Sequence, residues 1–303
     1  MGVRKTAKKI KTMEVRGAGN IARTAALALK TYAETSKAKT PEEFVGGLKK
    51  AGDILISARP SAVSLPNAVG FIVHRVESSD LDLPQLRGLA VATADEFIKD
   101  SRTAVRRIGE IGSGRISDGD TILTHCNSQA ALSVIKTAFR QGKDIEVFAT
   151  EARPRYQGHI TARELAKEGI PVTLIVDSAV RVFIKDIDKV IVGADSIAVN
   201  GAVVNKIGTS QLALIAHESR TLFFVAAESY KFHPATVLGE LIEIEERDVN
   251  EVANPRDFEG IKIRNPVFDV TPPEYVDLII TERGVMPPQA ALTLIKEQFG
   301  WAF

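Results

Sequence analysis

The chain has almost no sulfur chemistry to build with. Its 303 residues include one cysteine, Cys126, which excludes an internal disulfide framework and fits a reducing compartment, so the expected location is the cytoplasm. An excess of charge of one sign is missing too: 39 basic against 38 acidic side chains leave a formal net charge of +1. No nucleic-acid partner is expected from such a balance, and any phosphate recognition has to be local. Apolar runs are a few residues long, too short to span a bilayer, and the basic start "MGVRKTAKKIKTMEVRG" lacks the apolar core of a signal peptide. No membrane partner is expected, and the basic start reads as a solvated helix face. The five histidines, at 74, 125, 159, 217 and 233, show no paired ligand spacing. Neither a G-x-S-x-G elbow nor a Walker loop is present, so no metal and no cofactor is expected.

What is present is a change of rhythm. Up to about residue 110 the patterns are helical only. "NIARTAALALKTYAETSK" spaces Ile21, Ala25, Leu29 and Tyr32 on one face behind Asn20 as its cap. "TPEEFVGGLKK" opens with Thr40 as cap, Pro41 in the first turn and Glu43 three residues on, a capping box. That helix is expected to stop near Arg59, before Pro60. Further helices are expected over about 65–77 and from after Asp82-Leu83-Pro84 to about Ile111. From Ser117 onward, short Val- and Ile-rich runs alternate with helical segments: "TILTH", "IEVFAT", "PVTLIV", "DKVIVGAD", "TLFFVAA" and "VDLIITE". Unalternating strands with helices between them imply an α/β domain, a doubly wound and mainly parallel sheet. The expected division is a helical domain over 1–114 and a sheet domain over 115–303.

Ligands of such sheets bind beyond the carboxyl ends of the strands. His125-Cys126-Asn127, Glu151-Ala152-Arg153, Asp177, Asp195 and Glu228 fall on that rim. Cys126 lies between a strand and a helix start, where a helix dipole would lower the thiol below about 8.5; the competing reading is a buried small hydrophobe. Asp195 is either a general acid or base or the cap of the next segment. In "VVNKIGT", free amides at Gly208-Thr209 plus the Lys206 ammonium suit a phosphate, although an ordinary loop lysine has the same pattern. "VRGAGNIA" lacks the dinucleotide spacing and follows no strand. The apolar end "QFGWAF" fits either internal packing or a subunit interface.

Taken in order, "RGAG", "SARPSAV", "THCNSQAAL", "EARPRYQGHITARELAKEGIPVTLI", "VGADSIAVNGAVVNKIGTSQLALIA" and "AAESYKF" resemble the archaeal ribose-1,5-bisphosphate isomerases. These are relatives of methylthioribose-1-phosphate isomerases and of the regulatory subunits of translation initiation factor 2B. The resemblance runs from about Arg16 to the C-terminus. It implies a Rossmann-like second domain, a sugar bisphosphate substrate, and homo-oligomers that are dimers or assemblies of dimers such as hexamers. Cys126 and Asp195 match the catalytic pair. Arg16, Gly17, Ala18, Gly19, Arg59, Ser128, Gln129, Ala130, Gln157, Asn205, Lys206 and Lys231 match substrate-binding positions. On the chemistry of the isomerases, Cys126 is expected as the base and Asp195, protonated through burial, as the acid. Lys231 is expected over the same rim as Cys126, reading the second phosphate. The alternatives are a methylthioribose-phosphate or other sugar-phosphate isomerase, which has "RGAP" where "RGAG" stands here, and a regulatory binding subunit. Relatives of the last class typically lack the cysteine and replace the aspartate.

Overall fold

The computed structural model describes residues 2–15, 17–60, 63–239, 242 and 244–300. Five helices come first: α1 (Val3–Lys11), α2 (Ala18–Thr35), α3 (Pro41–Ile56), α4 (Ser64–Glu77) and α5 (Leu83–Ser113). The capping box at α3 forms, with Thr40 Oγ1 accepting from the Glu43 amide at 3.2 Å and the Glu43 carboxylate reaching back to the Lys39 amide at 2.8 Å. α3 ends at Ile56, short of the expected Arg59, because the Ser57, Ala58 and Arg59 amides tighten into a turn on Asp53, Leu55 and Ile56. The expected cap at Asn20 is also corrected. Gly17 turns the chain at a positive φ of 80°, which glycine adopts without a Cβ penalty, and α2 starts at Ala18. In α1, Thr6, Ala7 and Ile10 face inward, and most of the basic residues lie on the solvated side as expected.

Leu29, Phe44, Leu48, Leu55, Leu65 and Ile72 form the centre of this helical unit. One late segment joins it. The Tyr230 ring packs 5.6 Å from that of Phe97, its hydroxyl accepts from Ser101 Oγ, and Asn67 Nδ2 donates to the carbonyls of Tyr230 and Phe232. The first compact unit therefore comprises the chain up to Thr103, Tyr230–His233 and the residues from Lys296, and the second comprises Ala104–Ser229 and Pro234–Ile295. That differs from a single boundary at 114, because burial of Tyr230 takes its segment out of chain order.

The second unit contains β1 (Thr121–Thr124), α6 (Gln129–Arg140), β2 (Glu146–Thr150), α7 (Gln157–Lys167), β3 (Val172–Ile175), α8 (Val180–Phe183) and β4 (Lys189–Val192). After these come β5 (Ser196–Ile197), β6 (Val203–Lys206), α9 (Thr209–Ser219), β7 (Leu222–Ala226), β8 (Phe268–Thr271), β9 (Leu278–Thr281), β10 (Gly284–Met286) and α10 (Ala291–Phe299), whose end belongs to the first unit. Seven strands form one sheet in the order β10-β9-β7-β4-β1-β2-β3, all parallel except β10. All six expected strands are in it, and Ile122, Val147, Ile191, Phe224 and Ile280 pack into its core. From β1 the chain winds outward through β2 and β3, then returns to place β4 on the other side of β1. The switch point is thus between β1 and β4. A second, antiparallel sheet, β5-β6-β8, was not expected. Among the described residues no helix is long and apolar enough to cross a membrane.

Candidate active site

β1 and β4 are neighbours, with Ile122 beside Lys189 and Leu123 beside Val190. Cys126 follows the end of β1 and Asp195 follows the end of β4, so the two residues flank the switch point. Their loops touch. A Cβ on Gly193 would lie 2.3 Å from Ser128 Oγ, so only glycine lets the loop after β4 approach the start of α6.

Cys126 sits in the left-handed region at φ 67°, uncommon for a residue with a side chain. Thr161 of α7 donates its hydroxyl to the Cys126 carbonyl at 2.7 Å and accepts from Asn127 Nδ2 at 3.0 Å. Burial pushes the Cys126 thiol up from 9.0 to about 11. The Lys206 ammonium pulls it down, while Asp195 and Asp177 push it further up. The expected low thiol is therefore corrected. α6 starts at Gln129, with Ser128 as its cap accepting from the Ala131 amide, so Cys126 stands upstream of the dipole end and burial dominates.

Lys206 comes from β6 and is only 7% exposed. Its Nζ lies 4.9 Å from the Phe268 ring centroid, and no carboxylate of the described residues pairs with it. Burial lowers its pKa below 10.5, against the opposing pull of Cys126 and Asp195. Asp195 and Glu245 act on this ammonium, but no carboxylate of the described residues forms an ion pair with it, so a buried cation over a ring is left open to a further anion. Of the two amides expected to share that anion, Gly208 N is occupied. Asp269 Oδ2 accepts from Gly208 N at 2.7 Å and Ser210 N at 3.1 Å, so a carboxylate of the protein already caps α9. Asn205 Nδ2 donates to Thr209 Oγ1, and Thr209 Oγ1 donates to the Lys206 carbonyl at 2.6 Å, which fixes the turn below the ammonium.

His125 ties this turn to the main sheet. Its Nε2 is 2.9 Å from the Ile207 carbonyl and must carry the proton there, leaving Nδ1 to accept from Thr150 Oγ1 at 2.6 Å. Burial lowers its pKa, so the ring is neutral. Asp177 accepts from the Ala152 and Arg153 amides and holds the "EARPR" turn.

Of the other expected residues, Ser128 serves as a helix cap, Gln129 is exposed with Nε2 3.3 Å from Glu164, and Ala130 is buried. Gln157 Oε1 is buried without a partner among the described residues. Gly17, Ala18 and Gly19 open α2, and Arg59 donates to Met13 Sδ. Lys231 is buried with the Tyr230 segment, in the helical unit and not in the unit that carries Cys126. Arg16 lies outside the described residues, as do Trp301, Ala302 and Phe303 of the apolar end. Sequence reasoning missed Thr161, Phe268 and Asp269. Thr161 had a signal, since it lies four residues after Gln157 on the same face of a helix. Phe268 and Asp269 had none.

The model of the initiation factor 2 subunit family matches residues 14–288. The ribose 1,5-bisphosphate isomerase of Methanocaldococcus jannaschii is 59% identical over 300 residues, covering 99% of this chain and 96% of the relative. A methylthioribose-1-phosphate isomerase of Acetivibrio thermocellus is 42% identical over 295 residues, with 92% and 86% covered. Among solved structures, a Pyrococcus horikoshii OT3 translation initiation factor eIF-2B superposes with a TM-score of 0.81 at 34% identity, covering 96% of this chain and 98% of its own. Matched over most of its length both by the family model and by these relatives, the chain belongs to the initiation factor 2 subunit family.

Proposed function

We propose that the chain is an isomerase that converts ribose 1,5-bisphosphate to ribulose 1,5-bisphosphate, with Cys126 and Asp195 as its proton-transfer pair. The observation that carries this is the grouping of Cys126, Asp195 and the buried Lys206 ammonium, on which both act, at the β1/β4 switch. The 59% relative supports the bisphosphate over the methylthioribose substrate of the 42% relative.

The 1-phosphate blocks the anomeric oxygen, so the ring cannot open to a free aldehyde. Ring opening instead accompanies loss of the C2 proton. The C2–H electrons form a C1–C2 double bond while the C1–O4 bond breaks and O4 takes up a proton. The enol then loses its O2 proton, C1 gains one, and the 2-ketone results with both phosphates retained. Each of two groups works twice: the acid serves O4 and then takes the O2 proton, and the base takes the C2 proton and returns it to C1. The chemistry of the isomerases led to the expectation of Cys126 as base and Asp195 as acid. A thiol that holds its proton to about pH 11 supports the reverse, with Cys126 the donor to O4 and Asp195 the base. Lys206 supplies a charge-assisted contact to a phosphate, whose own charge keeps the neighbouring thiol neutral. Arg16, Gly17, Ala18, Gly19, Arg59, Gln157 and Lys231 complete substrate binding in this reading, and the protein works in the cytoplasm as a homo-oligomer, either a dimer or an assembly of dimers.

The test is ketose formation followed by NMR. Cys126→Ser and Asp195→Asn should each cut turnover by at least ~100-fold with binding largely kept. Near wild-type turnover in either variant would remove that residue from the mechanism. Conversion of methylthioribose 1-phosphate in preference to the bisphosphate would overturn the substrate.

A further inference from the structure

We infer that Thr161 is a positioning residue that holds Cys126 in its working conformation through the Cys126 carbonyl. The inference rests on the reading of Cys126 as a proton donor, but its evidence is separate. A cysteine at φ 67° occupies a region that a side chain enters at a cost, and it stays there only if its surroundings hold it. Among the described residues one side chain bonds the Cys126 carbonyl, Thr161 through Oγ1 at 2.7 Å. Thr161 is 1% exposed, so its hydroxyl has no water to turn to.

The hydroxyl is committed on both sides. It donates to the Cys126 carbonyl and accepts from Asn127 Nδ2 at 3.0 Å, so one oxygen sets two consecutive residues of the loop. α7 is brought close enough for this by Gly158. A Cβ there would lie 1.7 Å from the Thr150 carbonyl, so only glycine lets the first turn of α7 sit on the end of β2. One turn further on, Thr161 then reaches across to the loop after β1. The contact fixes the backbone that carries Sγ, on which the charges of Lys206, Asp195 and Asp177 act.

Without the hydroxyl, the carbonyl loses its donor and the loop relaxes toward ordinary backbone angles, swinging the half-buried thiol out of its place. A displacement of about 1 Å at a reacting group costs on the order of 100-fold in rate.

Cys126 is the only cysteine in the chain, so thiolate ultraviolet absorbance during a pH titration reports this residue alone. Thr161→Val keeps the shape and removes the donor, with Thr161→Ala as the second variant if valine impairs folding. Either should move the thiol titration down from about 11 toward 9.0 and lower kcat about 10- to 100-fold with KM little changed. Thr161→Ser keeps the hydroxyl and should restore the wild-type titration and most of the turnover. A titration that stays at the wild-type position in the folded valine or alanine variant overturns the positioning role, whatever the rate does. A titration that moves while kcat stays at the wild-type value upholds the positioning role and overturns Cys126 as a catalytic residue.

Discussion

Replacing Lys206 by methionine should act with opposite sign on stability and on binding. The ammonium is 7% exposed, lies 4.9 Å from the Phe268 ring centroid, and has no carboxylate paired with it among the described residues. Such a cation is costly in the empty protein despite the pull of Asp195 and Glu245, and on the proposed reading a phosphate compensates it further. Methionine fills a similar length against the ring without the charge. The empty variant should gain about 0.5–2 kcal/mol of stability, the range typical of substitutions that remove a functional strain. Bisphosphate affinity should fall by about 10- to 150-fold, equivalent to losing one charge-assisted contact of roughly 1.5–3 kcal/mol. Burial depresses the folded-state pKa below 10.5, so the folded protein sheds this proton before the unfolded chain does. Wild-type stability therefore gains from this group as pH rises through the window below 10.5, and the variant lacks that gain. Denaturant unfolding over pH reads the first effect. Calorimetric binding in a Cys126→Ser background, with and without Lys206→Met, reads the second. A variant that is less stable when empty yet binds the bisphosphate normally would refute the argument, because the charge would then be structural.

The thiol's protonation sets the direction of the pH profile. If Cys126 is the donor, kcat stays level through about pH 10 and falls as the thiol titrates near 11, whereas a thiolate base would make kcat climb over that range; stopped-time NMR assays across pH decide. Asp269→Asn tests the carboxylate that caps α9. Burial raises Asp269 from 3.8 to about 6, so in wild type this group's stabilising effect is full below pH 3.8 and is lost as pH rises to about 6. The difference between urea midpoints of wild type and variant should change across that interval and flatten above it; a constant difference would show that the carboxylate does not titrate there.

The parallel sheet was legible because its strands are continuous Val and Ile runs, and the same runs mark Cys126 and Asp195 as residues at strand ends. Their adjacency was not legible, since it depends on β4 returning beside β1. The thiol's protonation was misread for a related reason. The dipole argument needs the first helical residue to the nearest position, and α6 starts beyond Cys126, at Gln129. Lys206 looked like a loop residue because β6 carries Asn205 and Lys206 in a short strand, with a partner that announces itself nowhere nearby. At Asn20 a good capping side chain lost to the positive φ of Gly17. Tyr230 leaves for another core without any shift in composition, so its segment followed the chain order in the reading and not in the fold.

The pairing of β6 with β8 also sets a timetable. Asn205 lies opposite Asp269 and Lys206 opposite Phe268, so the ammonium, the ring beneath it and the cap of α9 meet only when a loop of roughly sixty residues closes, an entropic step that local helices never face. During synthesis β1 and β4 can pair as soon as both have emerged, which brings the Cys126 and Asp195 loops together early. The Lys206 cation is set later, after α9 and β7 have been made. A chain interrupted before Phe268 would carry Cys126 and Asp195 and lack the strand that pairs with Lys206.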